Sequence, residues 1–374
     1  MRKVSLMLSE KWGTYTRKQA LSMCGMVAIG KDPIAEKRRE RLYMQTFGEH
    51  FHEYLERYSK LHKKSWRYDE REVNKFLSKW FNRRLIDIRK SDVQMLHEKT
   101  FKENGLYQAN RILERVRGIF NKAIEWGWEG TNPAVGIKKY KEKSRDRFIQ
   151  PDEMPCITQA LEEETNETVK DYFWILLLTG ARKTNTMMMR WEQISWELGQ
   201  WRIPDTKNGD PLNVPLVDRA IEILKRRRDH SESEWVFPQD ENPKKHLINC
   251  KRAWLRTLER ATLHLWRQNK KLAPWLEDAK QSIPYYLMGE TGFKMIVAKA
   301  EKEKVALPSH SLLDIRVHDI RRTFGSYQAL TGASLQVIGR SLGHKSTQAT
   351  QVYARLNLDA VRASVEKATD AMFK

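Results

Sequence analysis

The amino-acid sequence predicts a mainly α-helical fold with one small antiparallel β-sheet, in the α+β class. Apolar residues such as Phe47, Phe51 and Tyr54 recur at helical spacing, and similar patterns run through most of the chain. The pair Asn208-Gly209, in contrast, lies between two short strand-like segments and predicts a tight hairpin turn. With 374 residues, the chain is long enough for two or three domains that each bury a core.

Composition limits the environment of the protein. Hydrophobic residues make up 40% of the chain and charged residues 31%, as in a soluble globular protein. The longest strongly apolar run, residues 174–178, is too short for a membrane span, and residues 4–8 are too few for a secretory signal. We therefore expect a cytoplasmic protein without a membrane partner.

The net charge of +20 is the most informative property of the composition. It favours a polyanionic partner, and nucleic acid is the usual one because neutralised phosphates release counterions. Charge alone leaves open a merely soluble basic protein or one that binds a membrane surface. If the partner is chromosomal DNA, the protein is expected at the nucleoid.

Cysteine usage argues against disulfides and zinc. Cys24, Cys156 and Cys250 are odd in number, widely separated and contain no Cys-x-x-Cys pair. We expect free thiols that are buried like small hydrophobic side chains.

The first 40 residues look like an incomplete domain. Residues 16–28 predict one helix, which Gly30 and the pair Asp32-Pro33 would end. The charged stretch 34–42 predicts either a linker or an exposed helix.

Residues 46–137 predict a four-helix domain. Ser91 and Asp92 are expected to cap the start of one helix. The longest helix, about 107–126, would bury one apolar face and present polar residues on the other. That buried face is expected to contain Ile112, Val116, Phe120 and Ile124.

Basic and amide side chains in and just after this domain are the candidate DNA contacts. Residues 138–150 form a basic linker, with six Lys or Arg among residues 138–147, that can lie along phosphates or simply face solvent. The candidate contacts are Lys63, Lys64, Gln108, Arg111, Arg115, Lys138 and Lys139.

Residues 151–374 predict a second, mostly helical domain. Helices are expected at 171–178, ended by Gly180, and at 184–190. Short strands at 194–196, 201–204 and 212–215 would form the small sheet, and helices follow from Asp218 onward.

Four short segments of this domain contain residues suited to phosphoryl transfer. They are Thr179-Gly180-Ala181-Arg182, the hairpin with Lys207, His318-Asp-Ile-Arg321, and Leu342-Gly343-His344 followed by Tyr353. Each is unspecific when taken singly. Together they provide a nucleophile, charge stabilisation and an acid, which are the parts that phosphoryl transfer needs.

Each residue type fits one of these parts. Tyr353 can attack phosphorus and form a covalent phosphotyrosine, and Arg182 and Arg321 can clamp two phosphate oxygens. Lys207, at a hairpin tip, can reach the departing 5′ oxygen as a general acid.

Two histidines complete the candidate site. His318 lies one helical turn before Arg321, and His344 follows a helix-ending glycine, from which it could donate to the same phosphate. No carboxylate cluster for two metal ions accompanies them in the sequence, so we expect neither a metal site nor a cofactor.

The order R…K…H-x-x-R…H…Y resembles the tyrosine recombinases, specifically phage and genomic-island integrases. "LLLTGARKTNTMMMRW" resembles the first conserved box of that family, and "VHDIRRTFGSYQALTGASLQVIGRSLGHKSTQATQVYARL" resembles the second. The helical unit 46–137 is similar to the family's core-binding domain, and "TRKQALSMCGMVAIGKDP" to the end of its arm-type DNA-binding domain.

This resemblance implies a catalytic domain at 151–374 with Arg182, Lys207, His318, Arg321, His344 and Tyr353 around the scissile phosphate. It implies strand exchange within a homotetramer on double-stranded attachment sites, through a Holliday junction and without metal or nucleotide. It also leaves room for an excisionase or a DNA-bending host factor as partners. The amphipathic segment 358–373 is expected to dock on a neighbouring protomer or on its own domain.

The sequence departs from the family pattern at two places. Asn185 stands where many members have Glu, which puts any carboxylate role there in doubt. Residues 261–313 form an insertion, expected to be helical, which either contacts DNA or a partner subunit or has no role.

Two other functions remain as alternatives. A type IB topoisomerase shares this chemistry but needs no defined partner site. A catalytically silent DNA-binding regulator derived from an integrase would keep the fold without cutting DNA. The filled catalytic positions and the separate N-terminal helical domain favour the recombinase.

Overall fold

The computed structural model describes residues 17–30, 32–205, 210–284, 287–356 and 358–373. Within these residues, no helix combines the length and the apolarity needed to cross a lipid bilayer. The chain divides into two compact units, Met1–Ser144 and Arg145–Lys374.

The first unit is built from helices that pack around an aromatic core. Phe47, Val73 and Phe120, on three different helices, are fully buried at its centre. The helices are α1 (Arg17–Ala28), α2 (Pro33–Met44), α3 (Phe47–Tyr54, continued through the π-helical turn Leu55–Ser59 into Lys60–His62), α4 (Trp66–Leu77), α5 (Lys90–Asn104) and α6 (Leu106–Glu125).

The N-terminal helices lie close to their predicted positions; the predicted first residue, Thr16, lies outside the described residues. Gly30 follows α1 with φ of 76°, a left-handed conformation that favours glycine. The Asp32 carboxylate accepts a hydrogen bond from the Ile34 amide at 2.8 Å and so caps α2. The charged stretch is therefore an exposed helix, since α2 has no buried residue.

Two details of the helical prediction for this unit are wrong. Ile124 is 42% exposed, whereas Ala123 is buried, because the 3.6-residue period turns the inward stripe of α6 from Phe120 toward Ala123. Helix α5 begins at Lys90, so its N-cap residue is Arg89 and not Ser91 or Asp92. Asp92, at the third position of the helix, accepts a hydrogen bond from the Arg89 amide at 2.8 Å.

The second unit combines helices with one three-stranded sheet. The sheet order is β1-β2-β3 and both pairings are antiparallel. Its strands are β1 (Ile194–Ser195), β2 (Gln200–Ile203) and β3 (Leu212–Pro215); its helices are α7 (Met154–Glu162), α8 (Glu167–Thr179), α9 (Lys183–Met187), α10 (Asp218–Arg228), α11 (Lys251–Trp266), α12 (Ala273–Ser282), α13 (Phe293–Lys302), α14 (Val317–Leu330), α15 (Leu335–Leu342) and α16 (Leu358–Phe373).

This mainly helical architecture with a small antiparallel sheet confirms the predicted fold class. The hairpin register pairs Trp201 with Val214 and Ile203 with Leu212, so that Trp201 and Val214 are buried on the same face. The predicted turn, Asn208-Gly209, lies outside the described residues, as does Lys207.

The segment predicted to be an insertion has a small core of its own. Helices α11, α12 and α13 contribute Leu263, Leu276 and Ile296 to a cluster separate from the main core. The predicted insertion is therefore helical, but it begins within α11.

The expectation that the cysteines are buried is correct only for Cys250. Cys156 is half-buried, and Cys24 is exposed. Cys24 lies on α1, where every side chain described from Leu21 to Ala28 is exposed or half-buried, so no core is available to it.

Candidate active site

Two arginines converge at the ends of two helices in the second unit. Helix α8 ends at Gly180, and α15 ends at Gly343; both glycines have φ of 59°. Arg321 of α14 is 6% exposed; its Nη1 donates to the Gly180 carbonyl oxygen at 2.8 Å, and its Nη2 donates to the Leu342 carbonyl oxygen. These contacts fix the guanidinium between the two helix ends.

Arg182 reaches the same place from the loop after α8. Its Nη2 lies 3.5 Å from the Gly343 carbonyl oxygen, next to the carbonyl that Arg321 contacts. A guanidinium has five N–H donors, and these contacts use one in Arg182 and two in Arg321. Both side chains therefore retain donors for an anion.

The electrostatics show that the two guanidinium groups are close and uncompensated. Burial, and next the charge of Arg182, lower the pKa of Arg321 to about 10. Burial also lowers the pKa of Arg182. Among the described residues, neither guanidinium is bonded to a carboxylate. Two adjacent cations without a counter-ion are suited to bind an anion.

The two histidines differ in exposure. Nδ1 of His344 lies 2.9 Å from Oγ1 of the buried Thr350, and its backbone amide donates to Gly339. Burial, followed by the charges of Arg321 and Arg182, lowers the pKa of His344 to about 4. The imidazole is thus neutral at pH 7, so only one ring nitrogen carries a proton.

His318 precedes Arg321 by one turn of α14 and is exposed to solvent on one side. Partial burial of the ring lowers its pKa, and the charges of Arg321 and Arg322 add to the effect. The charge of Arg182 also lowers the pKa of His318, so both arginines of the pair influence the ring.

Tyr353 packs against α14 within the same chain. It lies in the 3-10 turn Gln351–Leu356 and is 4% exposed. A Cβ added to Gly325 would lie 2.6 Å from Tyr353 Cζ and 2.9 Å from its phenol oxygen, so the absence of a side chain at Gly325 leaves room for the ring. Burial raises the pKa of Tyr353, while the charges of Arg321 and Arg322 act in the opposite direction.

The hairpin that contains Lys207 is attached to the loop of His344. A Cβ on Gly343 would lie 2.8 Å from Leu212 Cδ2, at the start of β3. Lys345 forms an ion pair with Asp210 at 2.7 Å. The described residues on the C-terminal side of Lys207 are thus held beside His344.

Sequence reasoning missed the acidic residue that supports α14. Asp319 is 2% exposed; its carboxylate accepts from the Arg316 amide at 2.9 Å and from Arg145 at 2.8 Å. Arg147 binds Glu153 at 2.7 Å. The sequence assigned Arg145 and Arg147 to the basic linker, but these carboxylates bind them. The spacing of Arg316 and Asp319 at a helix start was the signal from which the role of Asp319 could have been predicted.

Thr350 and Asn185 also differ from expectation. Nothing in the spacing of charged residues pointed to Thr350 as the partner of His344. Nδ2 of Asn185 is buried without a hydrogen-bond partner among the described residues, so the residue that replaces Glu does not take over a polar contact there.

The candidate DNA contacts of the first unit are largely bound to neighbouring carboxylates. Lys63 and Arg115 both contact the buried Asp69, at 2.8 and 3.3 Å. Arg111 and Lys139 both contact Glu114. Gln108 donates to Glu72. Lys64 and Lys138 are exposed, as are Arg111 and Lys139.

Comparison with known proteins gives the class that this fold and site define. Residues 147–273 match the family described as the phage integrase family. This stretch is similar to the phage integrase family, and the curated proteins similar to the chain include a tyrosine recombinase. The match includes Arg182 and ends at the start of α12, before His318 and Tyr353.

Two curated relatives show the extent of the similarity. The putative integrase/recombinase y4rA of Sinorhizobium fredii is 22% identical over 74% of this chain and 59% of its own length. The shufflon-specific DNA recombinase of Escherichia coli is 34% identical over 114 residues, 30% of this chain and 29% of the recombinase. The chain thus spans less than two thirds of either relative.

Solved structures share the fold. A lambda integrase tetramer bound to a Holliday junction is 16% identical, with a TM-score of 0.55, over 89% of this chain and 88% of that one. The integrase of the Tn1549 transposon, in complex with transposon right-end DNA, is 13% identical, with a TM-score of 0.61, over 86% of this chain and 99% of that one.

Proposed function

We propose that this protein is a site-specific DNA recombinase that cuts and rejoins strands through a 3′-phosphotyrosine intermediate. The observation that carries this proposal is the uncompensated pair Arg182 and Arg321 beside the buried Tyr353. A single phosphodiester supplies the anion that the pair lacks, and guanidinium groups match phosphate oxygens in geometry.

The proposed cleavage step forms one bond to phosphorus and breaks another. The phenol oxygen of Tyr353 bonds to phosphorus while the bond from phosphorus to the 5′ oxygen breaks. The donors of Arg182 and Arg321 stabilise charge on the non-bridging oxygens in the transition state. Because its pKa is lowered, His318 is neutral at pH 7 and is available to accept the phenol proton.

His344 and Lys207 act on the other side of the phosphate in this proposal. With Nδ1 directed to Thr350, the Nε2 atom of His344 is the ring nitrogen available to the substrate. Lys207 protonates the departing 5′ oxygen as general acid. The ion pair between Asp210 and Lys345 supports this role, because it places the described end of the hairpin next to His344.

The domain roles follow the same proposal. Residues 1–40 are similar to the end of an arm-type DNA-binding domain, 46–137 form the core-binding domain, 138–150 a basic linker and 151–374 the catalytic domain. Lys64 and Lys138 are exposed to solvent and would contact phosphates. Lys63, Gln108, Arg111, Arg115 and Lys139 would exchange carboxylate partners for phosphates.

The assembly and location are also proposed from the relatives. A lambda integrase tetramer has been solved on a Holliday junction, and we infer the same homotetramer for this chain on its attachment sites. It would act on DNA of the nucleoid in the cytoplasm, with an excisionase or a DNA-bending host factor setting the direction of the reaction.

A nicked suicide duplex tests the proposed activity. The duplex carries the short direct repeat that flanks the gene, and the reaction is run in EDTA. The protein should become covalently attached to the 3′ phosphate, and Tyr353→Phe should abolish attachment while binding to the duplex persists. Attachment by Tyr353→Phe, or none by the native protein, would contradict the proposal. Relaxation of plasmids without the repeat would indicate a topoisomerase instead.

A further inference from the structure

Residues 145–149, which we call the strap, bind helix α14 at two points. Arg145 donates to the buried carboxylate of Asp319 through Nε at 3.0 Å and through Nη2 at 2.8 Å. The Ile149 amide donates to Thr323 Oγ1 at 2.9 Å, about one turn further along α14. The same helix contains the buried arginine of the candidate site, so the strap binds the element that would hold the phosphate.

The strap also contacts the turn that contains Tyr353. Asp146 Oδ2 lies 3.0 Å from Nη1 of Arg355, which follows Tyr353 by two residues in the turn Gln351–Leu356. Arg355 is the only charged residue in the sequence of that turn. The strap, the turn and α14 all belong to the second unit. Asp146 therefore joins the turn of the candidate nucleophile to a segment that is bound to α14.

Ion pairs fix the chain on both sides of Asp146. On the N-terminal side, Arg145 contacts α14 through two of its nitrogens. On the C-terminal side, Arg147 donates to Glu153 at 2.7 Å and contacts Asp314 at 3.1 Å. The Glu153 side chain is 2% exposed, so this pair is shielded from solvent, unlike an ordinary surface ion pair. The two neighbours of Asp146 thus set the position of its backbone.

The ion pair of Asp146 with Arg355 is itself about half exposed, at 56% and 53% of the two side chains. Exposed pairs contribute little to stability, partly because two long side chains lose entropy when they are ordered. Here the strap already positions one partner, so less of that entropy remains to be lost. We expect the pair to favour the observed position of the turn over a displaced one by about 2- to 5-fold.

We propose that Asp146 is a positioning residue for Tyr353, a role that rests on the proposed function. Through Arg355, Asp146 holds the turn so that the Tyr353 ring stays on Gly325 of α14. Since the strap also binds α14, one segment sets the position of the nucleophile relative to Arg321. Loss of the ion pair therefore slows cleavage without weakening DNA binding.

Hydrogen exchange in the free protein tests the contact without a need for activity. In Asp146→Asn, the amides of residues 351–356 should exchange about 2- to 5-fold faster, because the turn opens more often. Glu162→Gln is the matched control: it breaks a pair with Arg219 of similar exposure, 56% and 54%, which joins α7 to α10. Exchange of the turn should not change in this control. Equal exchange of the turn in Asp146→Asn and the native protein would overturn the proposal.

The rate of covalent attachment to saturating suicide duplex tests the positioning role. Asp146→Asn should lower this rate about 2- to 5-fold, with the duplex bound at least as tightly as by the native protein. Asp146→Arg and Arg355→Asp should each lower it by about 3- to 10-fold, because like charges then face each other. The double variant Asp146→Arg/Arg355→Asp restores opposite charges and should recover the rate to within about 2-fold of the native value.

The outcomes separate the role of Asp146 from the proposed function. No recovery in the double variant, or faster attachment by either single charge reversal, would contradict the positioning role while the native protein still cuts. No attachment by the native protein would contradict the proposed function, whereas hydrogen exchange of the turn tests the contact of Asp146 in either case.

Discussion

Gly325→Ala tests the placement of the proposed nucleophile. The added methyl group would lie 2.6 Å from Tyr353 Cζ, whereas ordinary contact begins at 3.4 Å. The ring must therefore retreat by about 0.8 Å, and a misplacement of about 1 Å can cost on the order of 100-fold in rate. We expect a loss of about 10- to 100-fold in cleavage, with the fold retained because alanine favours helices.

The rate of covalent attachment to the suicide duplex measures this effect in single turnover. Gly118→Ala is the matched control: it is also a helical glycine, but an added Cβ meets nothing within 4 Å. It should leave the rate unchanged and stabilise the protein by about 0.5–1 kcal/mol. If Gly325→Ala cuts at the native rate, Tyr353 does not react from the position described here.

Three further predictions concern other parts of the second unit. Thr350→Val removes the partner of His344 Nδ1 and should slow cleavage about 2- to 10-fold with DNA affinity unchanged; equal losses in rate and affinity would contradict a positioning role. Burial and the charge of Glu290 raise the pKa of Glu259 to about 7, so its ionisation destabilises the fold as pH rises from about 4.5 through 7. Glu259→Gln should therefore raise Tm at pH 8 but hardly at pH 4.5, by about 2–4 °C for each kcal/mol gained; a pH-independent difference in Tm would refute this. Lys207→Ala should be rescued by a 5′-thiolate leaving group if Lys207 is the general acid, and a rate that stays low on the thio substrate would remove that role.

Local rules in the sequence predicted the frame of the site. Gly180 and Gly343 mark helix ends, and both have the left-handed conformation that favours glycine. Because Arg182 and His344 follow these glycines closely, their location at helix ends was predictable. The two helix ends also lie next to each other, so that Arg321 contacts both. This proximity depends on long-range packing, which no local sequence pattern predicts.

Other features depend on partners distant in sequence. Arg145 lies in a run of basic residues and reads as a phosphate contact, but Asp319 binds it across 174 positions of sequence separation. The hydrogen bond between Arg260 and Glu164 joins α11 to the loop between α7 and α8. Since a hydrophobic pattern specifies which face is buried but not which polar atoms meet there, this contact was not predictable.

The central claim is that Arg182 and Arg321 act on one phosphate. Replacing a non-bridging oxygen of the scissile phosphate by methyl removes the charge that the pair would stabilise. On the ordinary phosphate, Arg182→Ala and Arg321→Ala should each lower the cleavage rate by about two to four powers of ten. On the methylphosphonate duplex, the loss should fall to about tenfold or less for at least one of them. Equal losses on both substrates for both variants would contradict the claim.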